Sequence, residues 1–130
     1  MFSTKSRYAL RIMVFLARRR NKLVSVSEIA SETGISAKYA EQIMSILKRA
    51  GYVTATRGSF GGYALAGSAD EYRASDILRL MESSTEPVPC IGGKCDAIGD
   101  CTLKAMWNEL YYTEKAVLEK YTVAKLAYGD

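Results

Sequence analysis

The run VSVSEIASETGISAKYAEQIMSILKRAGYVTATRGSFGGYALA, residues 24–66, leaves few options for the fold. Ser25 or Ser27 can cap a short helix with Glu28 in its first turn and Ile29 and Ala30 facing inward, and Gly34 stops it. Ser36 caps a second helix, in which Tyr39, Ile43, Ile46 and Leu47 recur at helical spacing until Gly51. Two helices meeting at a tight glycine-containing turn predict a helix-turn-helix, and a plain helical hairpin shares the same periodicity. The next residues separate the two readings. Tyr52–Thr56 is β-prone, RGSFGG is a turn, and Tyr63–Ala66 can return as a second strand. A narrow ribbon directly after a second helix is a wing.

The second helix opens on small and polar residues, Ser36, Ala37 and Lys38, with Glu41 and Gln42 a turn later. Short polar side chains there let the end of a recognition helix approach base edges and phosphates. Arg57 sits at the wing tip among glycines, suited to a minor groove whose A·T-rich stretches deepen the negative potential. The charge distribution agrees. Residues 1–66 carry 11 Lys and Arg against 3 Asp and Glu, a net of +8, whereas residues 67–130 carry 7 against 11, a net of −4. A basic half joined to an acidic half points to a polyanion at one end, with double-stranded DNA the leading partner. A solvated basic surface is the plain alternative.

The first segment, Ser6 to Arg20, carries a helical stripe of Tyr8, Ala9, Ile12, Met13, Phe15 and Leu16, closed by Arg18-Arg19-Arg20. Cations in a last turn suit the helix dipole, and that role is preferred for the cluster over phosphate contact. Past the wing, Ser75 can cap a short helix whose Ile77, Leu78, Leu80 and Met81 pack onto the first domain. Pro87 and Pro89 then end regular structure, and a cysteine loop follows. A long helix is expected after Cys101, running to about Leu126, with Leu103, Trp107, Leu110, Val117, Tyr121 and Ala124 at three-, four- and seven-residue steps. It can cover its own first domain or pair with its twin. The second arrangement gives a homodimer that presents two recognition helices to a palindromic operator. The expected organisation is a DNA-binding domain over 1–66, a connecting helix over 67–86, a cysteine loop over 87–102, and a dimerisation helix and tail over 103–130. The fold class is mainly α with a two-stranded β-wing.

A chain of 130 residues buries one core. No apolar run approaches the roughly 18–20 residues that cross a bilayer, and MFSTKSRYAL lacks a secretory pattern, so a cytoplasmic location is expected. In that compartment three cysteines favour metal binding or redox chemistry over a disulfide framework. All three lie in PCIGGKCDAIGDC, as Cys90, Cys95 and Cys101, and the chain has no histidine. Without histidine there is no His-based acid–base pair, no Cys-His dyad and no facial iron triad. No phosphate-binding GxxxxGK[ST] sequence occurs either, so enzyme readings fall away. A redox-regulated adaptor that binds proteins through the same domain is the competing class, and the basic N-terminal half argues against it.

STKSRYALRIM, GISAKYAEQIMSILKRAGYV, RGSFGGYALA and a three-cysteine loop followed by KAMW together resemble the Rrf-type winged helix-turn-helix transcriptional regulators over nearly the whole chain. The resemblance implies a homodimeric bacterial transcription factor with a long crossing C-terminal helix. It also implies DNA contacts from Ser36, Lys38, Tyr39, Glu41 and Gln42, and from Arg57, Gly58, Ser59, Gly61 and Gly62 of the wing, with Thr4 and Lys5 near phosphates. Cys90, Cys95 and Cys101 match the positions of iron–sulfur ligands in some members, while others lack the cysteines and answer a different signal. Where the IscR type completes its shell with histidine this chain has Lys104, and near the aspartate of the NsrR type it has Arg7. Both are cations and repel a metal. The first cysteine interval is also one residue shorter than in the IscR type.

The loop has features of a site. Gly92, Gly93 and Gly99 allow a tight wrap, and Lys94 and Lys104 offset thiolate charge. Asp96, Asp100, a carboxylate of a second chain, a small thiol or water are candidate fourth ligands for an iron–sulfur cluster, of the two-iron or four-iron type. A disulfide-forming thiol switch, a zinc site of three thiolates plus water, and three packed thiols without cofactor stand as alternatives.

Overall fold

The computed structural model describes residues 2–20, 22–88, 91 and 102–129. Helix α1 (Thr4–Arg18) starts where the Ser3 hydroxyl accepts from the Ser6 N–H at 3.2 Å. It buries Ser6, Ala9, Ile12, Met13, Leu16 and Ala17, a stripe with the helical period. Helix α2 (Val26–Thr33) is capped by Ser25, which accepts from the Glu28 N–H at 3.1 Å, and ends at Gly34 in the left-handed region with φ 74°. Helix α3 (Ala37–Arg49) is capped by Ser36 and buries Ala40, Ile43, Met44 and Leu47. These helices share one core with Val24, Ile35, Val53 and Leu65, so α3 is held by its apolar side while its polar side stays free.

Strands β1 (Val53–Thr56) and β2 (Gly62–Leu65) pair antiparallel, with Val53 opposite Leu65 and Thr56 opposite Gly62. Val24 adds a bridge to Tyr63, exchanging N–H···O bonds of 2.9 and 2.7 Å. Only the base of the ribbon is buried, at Val53, Ala64 and Leu65, and residues 54–60 are all exposed. The two-stranded wing of the sequence reading is present, on a mainly helical chain.

After a 3-10 turn (Ala69–Glu71) comes α4 (Ala74–Met81), which buries Ile77, Leu78 and Met81. Ser75 does not cap it. The chain enters the helix at Arg73, whose N–H donates to the Asp76 carboxylate at 3.0 Å, and Ser75 is buried in the first turn. Asp76 thus reaches back to the start of the helix, leaving no capping role for the serine.

The long helix expected to reach Leu126 is two helices. Helix α5 (Lys104–Lys120) stops at Tyr121, which is extended, and Thr122 caps α6 (Val123–Tyr128) by accepting from the Lys125 N–H at 3.0 Å. The break has a long-range cause. The Tyr121 carbonyl accepts from the Ala74 N–H at 2.8 Å, and the Val123 N–H donates to the Tyr72 carbonyl at 2.7 Å. Helix α6 then lies on α1, burying Val123 and Ala127, with the Arg18 Nε donating to the Ala127 carbonyl at 3.0 Å and the Tyr128 hydroxyl donating to the Ala17 carbonyl. The C-terminal segment therefore closes the N-terminal core. No helix among the described residues is long and apolar enough to cross a membrane.

Candidate nucleic-acid interface

The two serine caps fix the start of α3 relative to α2. Ser36 accepts from the Tyr39 N–H at 3.2 Å, so its oxygen already serves the helix while the residue stays exposed. Lys38, Glu41 and Gln42 project from the same opening turns and are exposed. Among the described residues none of the three has an ion-pair or side-chain hydrogen-bond partner. Tyr39 differs from them. It is half-buried and packs edge-on against Tyr8, with ring centroids 5.5 Å apart, and Arg11 lies over the other ring. One tyrosine therefore belongs both to the core margin and to the helix opening.

Thr4 is exposed and Lys5 half-buried in the first turn of α1. Their position is set by an anchor that the sequence did not announce. The Glu82 carboxylate, just past α4, accepts from the Ser3 N–H at 2.7 Å and from the buried Ser6 hydroxyl. Both bonds favour the ionised form, so the Glu82 pKa is held below the usual glutamate value, chiefly by Ser6 and then by Ser3.

At the wing, Arg57, Gly58 and Ser59 are exposed, whereas Gly61 and Gly62 are half-buried. The two later glycines have work inside the molecule. A Cβ on Gly61 would collide with the Thr56 carbonyl group, 2.8 Å from its carbon, and one on Gly62 would stand 2.7 Å from the Val24 oxygen. Gly62 also has φ 151°, a backbone conformation that L side chains rarely adopt. These contacts make the tip narrow and pin it to Val24. Phe60 lies at that tip with 94% of its surface exposed. The sequence gives it no role of its own within the wing, because a single phenylalanine inside a glycine turn has no periodicity to betray it.

The basic cluster at the end of α1 is engaged elsewhere. Arg19 pairs with Glu28 at 3.1 Å and covers Phe15, and Arg20 covers the Tyr128 ring at 4.8 Å. With Arg18 bound to α6, the three arginines join α1 to α2 and α6.

Helix α5 buries none of its residues. Met106, Leu110 and Val117, with Leu103 ahead of the helix, are exposed at three-, four- and seven-residue steps, so they share one side. Trp107 and Leu118 are half-buried. Cys90, Cys95 and Cys101, with most of the loop assigned to 87–102, lie outside the described residues.

A family model described as "Rrf2: Iron-dependent Transcriptional regulator" matches residues 2–129. The chain belongs to the Rrf2 family. The CymR regulator of Bacillus subtilis is 35% identical over 126 residues, covering 96% of this chain and 88% of its own. The solved structure of CymR, the global cysteine regulator of B. subtilis, superposes with a TM-score of 0.84 at 34% identity over 98% of this chain and 95% of that one. An IscR from T. potens matches at TM-score 0.81 and 30% identity, over 97% of this chain and 85% of that one. An oxidised form of Staphylococcus aureus CymR matches at 0.77 and 33%, over 98% and 96%. This Rrf2-family chain is accordingly a transcriptional regulator with a winged helix-turn-helix fold, and not an enzyme.

Proposed function

We propose that the protein works as a homodimer that binds a palindromic operator, with the opening of α3 in the major groove and the wing along the minor groove. The observation that carries this reading is the free, polar opening turn of α3, followed directly by a ribbon whose residues 54–60 are all exposed and include Arg57. Ser36, Lys38, Tyr39, Glu41 and Gln42 serve the major groove in this reading. Arg57, Gly58 and Ser59 serve the minor groove, with Gly61 and Gly62 shaping the tip, and Thr4 and Lys5 meet phosphates. The exposed apolar side of α5 supports pairing with a second copy, because a lone helix gains little by keeping such a stripe in water.

Operator affinity in this reading is set by Cys90, Cys95 and Cys101. Three thiolates are a donor set for soft metals, and with no histidine in the chain the shell needs a carboxylate, a second chain or an outside ligand. These residues would hold an iron–sulfur cluster, which supplies a centre whose charge and occupancy respond to oxidant and iron supply. The iron-dependent description of the family supports it. A thiol reading has its own support in the oxidised form known for S. aureus CymR. Anaerobic purification with iron, sulfide and zinc analysis, followed by operator binding before and after oxidation, separates them. The cluster reading expects coloured protein that Cys95→Ala bleaches. Colourless, metal-free protein whose DNA affinity changes with a reversible disulfide supports the thiol reading instead.

A further inference from the structure

We propose that Phe60 is an apolar wedge, which the wing sets against a base step in the minor groove beside Arg57, so that the protein selects a deformable step there. The inference rests on the DNA-binding reading and adds to it a residue and a kind of sequence preference. Phe60 is 94% exposed, the most exposed of the large apolar side chains among the described residues, and it stands alone at the wing tip rather than within an apolar patch. The ring takes no part in the core, which ends at the base of the ribbon.

The backbone beneath it is built to hold the ring outward. The Gly61 N–H donates to the Gly58 carbonyl at 3.0 Å, and Gly61 sits so close to Thr56 that no side chain fits. The Val24–Tyr63 bridge fixes the returning strand behind the tip. The tip is thus narrow, braced, and carries one cation and one aromatic ring three residues apart, with no acidic residue anywhere in 53–66. That pairing matches a duplex better than an apolar protein groove. Arg57 answers the negative potential of a narrow minor groove, and an apolar side chain beside it can enter between base pairs and partly unstack them. Unstacking is easiest at pyrimidine–purine steps, so the cost of the wedge varies with sequence at a position where no base edge is read.

The test uses the full-length protein and duplexes that the wild type recovers from a randomised library, with 2-aminopurine placed in turn at each A·T position. The wild type should raise 2-aminopurine fluorescence at one step in each half-site. Phe60→Ala should abolish that rise and weaken binding about 10-fold, with the salt dependence unchanged because no phosphate contact is lost. Phe60→Leu should keep most of both signals. Because the side chain is exposed, the melting temperature of all three proteins should agree, which separates a contact from a folding defect. Equal affinity and fluorescence for Phe60→Ala overturn the wedge. So does a fall in affinity without any fluorescence rise in the wild-type complex, which would make Phe60 a surface contact only. A wild type that recovers no duplex overturns the DNA-binding reading itself, a different result from either.

Discussion

The Glu82 carboxylate accepts the backbone N–H of Ser3 at 2.7 Å, across 79 residues of chain, and so ties the end of α4 to the start of α1. The same oxygen accepts from Ser6, which is fully buried. Glu82 is followed by the segment that leads into the cysteine loop, and Ser3 is followed by Thr4 and Lys5. One carboxylate therefore joins the sensor end of the proposed switch to its phosphate-facing end.

This link predicts a pH effect of known sign. With its folded pKa lowered, Glu82 contributes stability that is complete above the ordinary value of 4.5 and is lost as pH falls through the lower folded value. Glu82→Gln should cost about 1–2 kcal/mol at neutral pH, at the low end for bonds to a charged group because the residue is partly solvated. Urea unfolding across acid pH should show the gap between wild type and variant closing as pH falls below 4.5 and through the lower folded value. A gap that stays constant would show that ionisation of Glu82 adds nothing.

The wing makes a prediction about backbone. Gly62→Ala places a Cβ 2.7 Å from the Val24 oxygen at φ 151°, with backbone on both sides of the clash. It should destabilise the protein by about 2 kcal/mol or more, read as a lower melting temperature. Gly58→Ala, at φ 108° with nothing within 4 Å, should cost less because only the local conformation is strained.

The uncovered side of α5 predicts an association. Wild-type protein should sediment as a dimer at micromolar concentration, and Met106→Glu with Leu110→Glu should yield a folded monomer. Trp107, half-buried beside this face, should shift its fluorescence on dissociation. A wild-type monomer would contradict the pairing.

Arg57→Ala should weaken binding to a selected duplex by about 1–3 kcal/mol and lower the salt slope by about 1 if the guanidinium also displaces a counterion. Unchanged affinity would remove Arg57 from the interface.

Local chemistry made much of the fold readable. Ser25, Gly34 and Ser36 announce the helix-turn-helix because caps and left-handed turns are decided by neighbouring residues. What was missed is decided at a distance. The stripe of Val117, Tyr121 and Ala124 runs unbroken across the end of α5, so periodicity extends the helix. The break depends on Tyr121 meeting Ala74, which spacing cannot register. Ser75 misled for a related reason, since Asp76 supplies the bond at Arg73. Of the proposed interface, the polar residues of α3 and Arg57 were visible as types in context. Glu82 looks like any surface glutamate, and the half-buried, intramolecular duties of Gly61 and Gly62 emerge only once Thr56 and Val24 are placed beside them.

In the proposed function, α3 and the wing of a paired molecule read duplex DNA. The most direct test is the affinity of the full-length protein, across ionic strength, for duplexes it selects from randomised DNA. Two-fold symmetric sequences, two chains per duplex, and affinity that falls steeply as salt is added are the expected result. Selection of no sequence, or affinity indifferent to salt, would contradict it.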